Sequence, residues 1–327
     1  MSKKNKPNQH KITSIGGSAL IEGIMMRGPK RTTVAVRVSD DDIYTEDINI
    51  EPIAKKSVIW KIPIIRGVAG LIDSMRLSYK ALELSADKAL EAGEIEEEEP
   101  SKFEKWITEK FGDNLMKVIM VFATIIGVLL AVGLFFFLPT YLYKLLCLAA
   151  PSVEENVLLK SVFEGVLKIV LFLLYIILCS QMQDMKRVFM YHGAEHKTIF
   201  CYEADLDLTV ENIKKQSRFH PRCGTSFLVI ALVLGILIGL FIPANPFGIT
   251  FLRPVFKILL LPIMIGLSYE IIKICGKYDN TFTHIIAAPG LWAQRITTKE
   301  PDEKMIECAI VAMKSVIPDD GSDIINK

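Results

Sequence analysis

His192, Glu195 and His196 fall within five positions of the segment MYHGAEHKTIFCYE (190–203), in the spacing HxxEH. The chain holds 5 histidines in all, so two in one short segment are conspicuous. On a helix, residues three and four apart share a face, so both imidazoles reach one metal ion while Glu195 points toward the ion's bound water. A zinc ion lowers the pKa of that water to ~7, and a neighbouring carboxylate then takes its proton as the hydroxide attacks a carbonyl or phosphoryl centre. HPRCG (220–224) supplies a second pair, His220 and Cys223. His192, His196, His220 and Cys223 together make a closed tetrahedral set, which belongs to a structural ion. With Glu270 as third ligand instead, one position stays open for water; Glu203 is a further candidate. The bland alternative is that these histidines hydrogen-bond Glu195, Asp184 or a lipid phosphate. Gly193 weighs against a regular helix through the motif.

The elements that must position these residues are mainly membrane helices. The 327 residues are 51% hydrophobic with mean hydropathy +0.35, and the apolar residues collect in blocks. Four blocks read as transmembrane helices: about Met116 to Leu138, Ser161 to Cys179, Ser226 to Pro243 and Pro254 to Ile272, each near the ~20 residues a crossing needs. Net charge is only +1, but Lys and Arg crowd into residues 1–112, 186–222 and the tail after Ile272. The positive-inside bias therefore puts both termini and the central loop on the cytoplasmic side of the inner membrane. No disulfides are expected from the 6 cysteines, and no nucleic-acid partner. Glu164 with Lys168, and Arg253 near Lys257, read as structural charges that pair across helices or snorkel to the outer headgroups, rather than as a transport path.

The expected fold is an α-helical polytopic membrane protein with a small cytosolic α+β N-terminal region and a C-terminal cytosolic amphipathic helix. Residues 1–11 are a disordered basic tip. In 12–90, TTVAVRV (32–38) and IYTEDINI (43–50) form a β-hairpin or small sheet, and a helix begins near Ile65. Its stripe of Ile65, Val68, Ile72, Met75, Tyr79 and Leu82 packs on the sheet or lies on the inner leaflet, with Trp60 as an interfacial anchor. The Gly-rich stretch 14–30 matches no phosphate-binding motif and reads as a turn of the sheet, where Glu22 and Arg27 are a buried ion pair or ligand contacts. Residues 91–112 are an acidic linker. The bundle spans 113–272, with the loop 181–225 carrying the His/Cys motifs. In 273–327, Pro289 and Gly290 beside Trp292 suggest a surface loop, and a closing helix starts with Pro301 near N1.

GGSALIEGIMMRGP, IPIIRGVAGLIDSM, YHGAEHKTIFCYE, HPRCGTSFL and APGLWAQRITTKEP, in this order, resemble the bacterial YqhQ family of uncharacterised membrane proteins, from about Ile15 to Val316. The resemblance implies a metal-dependent enzyme, a description that rests on the same histidines. The expected function is metal-dependent hydrolysis of a membrane-linked peptide or lipid at the cytoplasmic face, with Glu195 as general base. The alternative is a membrane scaffold or assembly factor with a structural zinc, working through a protein partner. A transporter is the weaker third reading.

Overall fold

The structure, a computed structural model, describes residues 11–93, 113–278 and 281–325. The expected tip lies outside these residues except for Lys11, and the expected acidic linker except for its first three residues. The elements run in chain order as β1 (Gly16–Leu20), β2 (Gly23–Arg27), β3 (Thr32–Arg37), β4 (Ile43–Asp47), α1 (Ile65–Glu91), α2 (Asp113–Val132), a π-helical turn (Gly133–Phe137), α3 (Leu138–Ala149), α4 (Val157–Cys179), α5 (Gln183–Glu203), α6 (Val210–Lys214), α7 (Gly224–Gly239), α8 (Leu252–Leu259), α9 (Leu261–Lys277), α10 (Thr281–Thr297) and α11 (Glu303–Val316). They divide between two compact units. The first takes in Met1–Ile95, Leu173–Ile230 and Ile265–Lys327, and the second Glu96–Phe172 and Ala231–Met264.

The first unit is built on a four-stranded antiparallel meander in the order β1-β2-β3-β4. Both faces of the sheet are covered, so β3 is buried along its whole length. Ile24, Met26 and Ala35 face a core completed by Tyr191, Ala194 and Ile199 of α5 and by Met305, Ile306, Ala309 and Met313 of α11. Leu20, Met25, Val34 and Val36 face the other way, against Leu77 and Ala81 of α1. This is the period-2 alternation of a strand, with each face meeting a helix. On α1 the buried positions are mostly small, Gly67, Ala69, Ala81, Ser85 and Ala89 among them, while Ile72, Met75, Tyr79 and Leu82 are exposed. The large apolar stripe therefore does not face the sheet. Small side chains bring the helix close, and Asp73 is held on that face by accepting the Ile53 amide at 3.0 Å.

Two further elements of this unit differ from expectation. Thr281–Thr297 is a continuous helix with Pro289 inside it, not a loop. The proline removes one intrahelical hydrogen bond, but the helix persists because its inner face is held, with Gly290 directly against Ser226. The closing helix begins at Glu303, two residues later than expected, because Asp302 caps it by accepting the Met305 amide at 2.8 Å.

Among the described residues, two helical runs are long and apolar enough to cross a membrane: Val121–Ala149, 29 residues with mean hydropathy 2.8, and Val157–Cys179, 23 residues with mean hydropathy 2.5. Leu252–Leu259 and Leu261–Cys275 make a third candidate, bent by 47°. Pro262 at the start of α9 explains the bend, since it cannot donate to the turn before it. The expected count of four is not reached. The helix Gly224–Gly239 has 16 residues, a length of about 24 Å against a hydrocarbon core of ~30 Å.

Inside the second unit, Gly165 lets α4 and α7 touch, since any Cβ there would strike Ile236. Glu164 is buried, accepts the Thr140 hydroxyl at 2.8 Å, and pairs with Lys257 and with Arg253 at 3.3 Å. The Arg253 guanidinium, fully buried, also donates to the Ser161 hydroxyl at 2.7 Å and to the carbonyls of Ile242, Pro243 and Gly239. The charges expected to pair across helices do so, although Glu164 takes Arg253 and Lys257 rather than Lys168, whose ammonium lies over the Phe136 ring.

Candidate metal centre

The HxxEH segment lies in the middle of α5, which is regular throughout. Gly193 is needed there for close approach. A Cβ at this position would collide with the Lys299 carbonyl, and the Lys299 amide donates to the Phe189 carbonyl at 2.8 Å, so the segment after α10 runs directly against α5. That segment brings the Thr297 carbonyl to His192 Nδ1 at 2.9 Å. On the next turn, His196 Nδ1 meets the Arg218 carbonyl at 2.6 Å. A carbonyl only accepts, so each Nδ1 carries a proton and each ring turns its Nε2 inward.

Close to both rings comes Cys223, immediately ahead of α7. His192 Nε2 lies 3.2 Å from its Sγ. One donor atom each from His192, His196 and Cys223 falls within 4.8 Å of the others. Tetrahedral zinc would set such donors about 3.5 Å apart, so closure needs only small side-chain rotations. His196 Nε2 is buried with no hydrogen-bond partner, and so is Glu195 Oε2. An orphaned imidazole nitrogen and an orphaned carboxylate oxygen, both bordering a thiol, are what a cation and its water would satisfy. The residues present therefore fit a divalent metal held by two imidazoles and one thiolate.

The electrostatics favour the ligand forms. Burial pulls His196 below the ordinary histidine range, which keeps it neutral. Burial alone would raise the Cys223 thiol, but the adjacent His196 ring and the Thr225 hydroxyl bring it below its usual value. Loss of water pushes Glu195 up to about 7, against the opposing pull of His192 and the Gly17 amide.

The other candidates are directed elsewhere. His220 is buried beside His196, with ring centroids 5.5 Å apart. Its ring faces Glu203, whose Oε2 is 3.9 Å from Nε2, and Arg222. Glu203 is itself engaged, pairing with Arg222 and accepting the Thr13 amide at 2.8 Å. Glu270 forms a two-pronged ion pair with Arg66. Glu22 pairs with Arg187 and accepts the Tyr191 hydroxyl at 3.2 Å, whereas Arg27 is exposed.

Sequence reasoning passed over several residues that build the site. Gln294 of α10, fully buried, accepts the His220 amide at 2.8 Å and donates to the His220 carbonyl at 2.7 Å, which fixes the loop ahead of Cys223. Its signal is a lone amide in an apolar stretch, obscured by the break that Pro289 and Gly290 signal just ahead of it. Thr297 and Arg218 act through their carbonyls, which no side-chain pattern announces. The three donors and Glu195 border a cavity of about 680 Å³ that is also lined by Gly16–Ala19 of β1, within the volume range of small-molecule sites.

The description "Protein of unknown function (DUF1385)" belongs to the family whose model matches residues 62–319, an interval that contains all three donors. The chain belongs to this family. It is similar to the uncharacterized protein YqhQ of Bacillus subtilis (strain 168), with 32% identity over 313 residues, 95% of this chain and 94% of that protein. No solved structure matches the chain. The family and its relative are thus uncharacterised, and any reaction must be argued from the triad itself.

Proposed function

We propose that the protein is a metal-dependent hydrolase of the bacterial inner membrane, acting at the cytoplasmic face on a membrane-linked peptide or lipid. The observation that carries this reading is the convergence of His192, His196 and Cys223, one donor atom from each, beside the unsatisfied Oε2 of Glu195. Three protein ligands leave a fourth position open, the arrangement of catalytic rather than structural zinc. A divalent cation there, with zinc suited to two imidazoles and a thiolate, would polarise the scissile carbonyl or phosphoryl group and acidify water. Glu195, with its pKa close to neutrality, takes one proton as the water oxygen bonds to the scissile centre. It returns that proton to the leaving nitrogen or oxygen as the old bond breaks, so protons and electrons balance. The hydrogen bonds from His192 and His196 to backbone carbonyls hold the rings in their ligand tautomer.

The test is elemental analysis of purified protein together with the variants His192→Ala, Cys223→Ala, His220→Ala and Glu195→Gln. One equivalent of metal is expected in wild type, in His220→Ala and in Glu195→Gln, with loss from His192→Ala and Cys223→Ala. Hydrolysis should vanish in Glu195→Gln while its metal stays. A scaffold with a structural ion would tolerate Glu195→Gln fully and unfold locally when His196 is replaced by Ala. Metal-free wild type, prepared without chelators, would end the proposal.

A further inference from the structure

The cavity beside the triad has one wall that is neither side chain nor membrane helix but the open edge of a sheet. β1 is an outermost strand, and among the described residues no strand pairs with its outer side. The direction of its backbone groups follows from the register. Gly28 and Glu22 bond toward β3, through Gly28 N to the Arg31 carbonyl at 2.9 Å and Arg37 N to the Glu22 carbonyl at 2.8 Å. Backbone groups alternate along a strand, so Met26 and Ile24 also point toward β3, and Gly23, Met25 and Arg27 point toward β1. Their partners Leu20, Ser18 and Gly16 are consequently turned inward. Gly17 and Ala19 are left turned outward, each with one N–H and one C=O at the free edge. The Gly17 N–H fits this assignment, since it is directed at the Glu195 carboxylate. That leaves the Gly17 carbonyl and both groups of Ala19 facing outward, the Ala19 carbonyl meeting only the Ser18 hydroxyl, at the long distance of 3.5 Å.

The side chains of this edge are correspondingly small. A Cβ at Gly17 would lie 3.0 Å from the Glu195 carboxyl carbon and closer still to Met25 and Met26, so glycine alone lets the strand pass that close to the base. At Gly16 a Cβ would meet nothing within 4 Å. A bare strand edge, next to a water-activating constellation and open to a cavity, matches one recognition mode well: addition of an extended peptide as a further strand.

We infer that the substrate is an extended peptide segment that pairs with the outer edge of β1 through Ala19 and Gly17, and that its scissile bond lies beside Glu195. This deepens the hydrolase reading and rests on it. A substrate residue opposite Ala19 exchanges both hydrogen bonds with it, and the residue two further along, about 7 Å away, lies opposite Gly17 and Glu195. Main-chain pairing gives affinity with little demand on side chains, so sequence preference should be broad at the position opposite Ala19. A lipid headgroup has no row of amides with which to use this edge.

The test uses zinc-loaded full-length protein in detergent and measures binding rather than turnover. The probes are acetohydroxamate, tetra-alanine carrying a hydroxamate at either its N- or C-terminal end, and the same peptides with every amide N-methylated. At least one tetra-alanine hydroxamate should bind tenfold or more tighter than acetohydroxamate, and N-methylation should remove that gain. Ala19→Pro removes one outward N–H at a position where an edge strand tolerates proline. It should weaken the peptide probe roughly five- to tenfold, the equivalent of one hydrogen bond, while leaving acetohydroxamate binding and zinc content unchanged. If acetohydroxamate binds but neither peptide gains over it, or if the N-methylated peptides bind equally well, the strand-pairing inference fails and the metal site stands. If acetohydroxamate does not bind at all, the hydrolase reading fails and takes this inference with it.

Discussion

Replacing Gly193 by alanine tests whether the segment after α10 is what holds the first histidine in place. On propensity alone the change should help, by roughly 1 kcal/mol for Gly→Ala in a helix interior. The structure predicts the opposite. The new methyl would occupy the position of the Lys299 carbonyl, so either α5 or the 297–301 segment must move. Overpacking of this kind costs about 1–3 kcal/mol. Movement also threatens two hydrogen bonds, Lys299 N to the Phe189 carbonyl at 2.8 Å and His192 Nδ1 to the Thr297 carbonyl at 2.9 Å, each worth roughly 1 kcal/mol net and more if a buried group is stranded. The balance is a net loss of roughly 2–3 kcal/mol. A second effect separates the site from general stability: loss of the carbonyl that orients a ligating imidazole should lower metal affinity about 10- to 100-fold. Thermal unfolding of the metal-free protein in detergent reads the first effect, and competition with a chromophoric zinc chelator reads the second. Gly127→Ala, inside α2 where a Cβ would meet nothing within 4 Å, is the control: it should gain at most the propensity term of about 1 kcal/mol and leave zinc affinity unchanged. A Gly193→Ala protein with wild-type stability and wild-type zinc affinity would refute the argument that close packing of the Thr297–Lys299 backbone builds the site.

Two further predictions follow from buried charge. In the metal-free protein, Glu195 keeps its proton up to about 7 when folded, but titrates near ~4.3 when unfolded. Between those values the folded state binds the extra proton, so this group makes stability fall as pH rises, by roughly 3 kcal/mol over the window, with no further change above it. Denaturant unfolding of wild type and Glu195→Gln at about pH 5 and about pH 8 isolates that contribution, because other titrating groups cancel in the difference; a difference constant with pH would contradict it. In the second unit, Glu164→Leu leaves Lys257 without its carboxylate, whereas Arg253 keeps the Ser161 hydroxyl and three carbonyls. The expected loss is about 3–5 kcal/mol, most of it recovered in Glu164→Leu with Lys257→Met, as measured by unfolding in mixed micelles; equal stability of the single and double variants would show that Lys257 is not the stranded group.

Much of the architecture was legible because period and composition report what a segment must bury. Val34 and Val36 alternate with Thr33 and Ala35, which marks β3, and the apolar block from about Ser161 to Cys179, if it crosses lipid, has to be a helix, as it is within Val157–Cys179. The misread elements share a cause, a local signal overridden by a distant contact. Pro289 and Gly290 signal a break, yet α10 continues because Gly290 is seated on Ser226. Gly193 by its propensity weakens a helix that in fact requires it, since the need for a missing Cβ arises from Lys299, more than a hundred positions away. On α1 the large apolar residues were the natural choice for a packed face, but the sheet takes the small ones and leaves Ile72, Met75 and Tyr79 exposed. Hydrophobicity says that a face is hidden from water without saying whether protein or lipid hides it.

The candidate site shows the same division between residue type and geometry. Histidine and cysteine are scarce and chemically distinctive, so their sequence positions narrowed the donors to a handful. Sequence could not say how many of them share one point, because that depends on what else competes for each ring. His220 has the right chemistry and stands next to His196, but Glu203 and Arg222 occupy its polar atoms, and Gln294 grips its backbone. Glu270 is likewise engaged by Arg66. Each diversion lowers the number of donors around His196 Nε2, and three donors rather than four is the difference between a site that clamps a loop and one with room for water. The competing partners are ordinary ion-pairing residues with no motif of their own. What bears on function at this centre is therefore carried as much by Glu203, Arg222 and Arg66, which draw candidate ligands away, as by the histidines that remain.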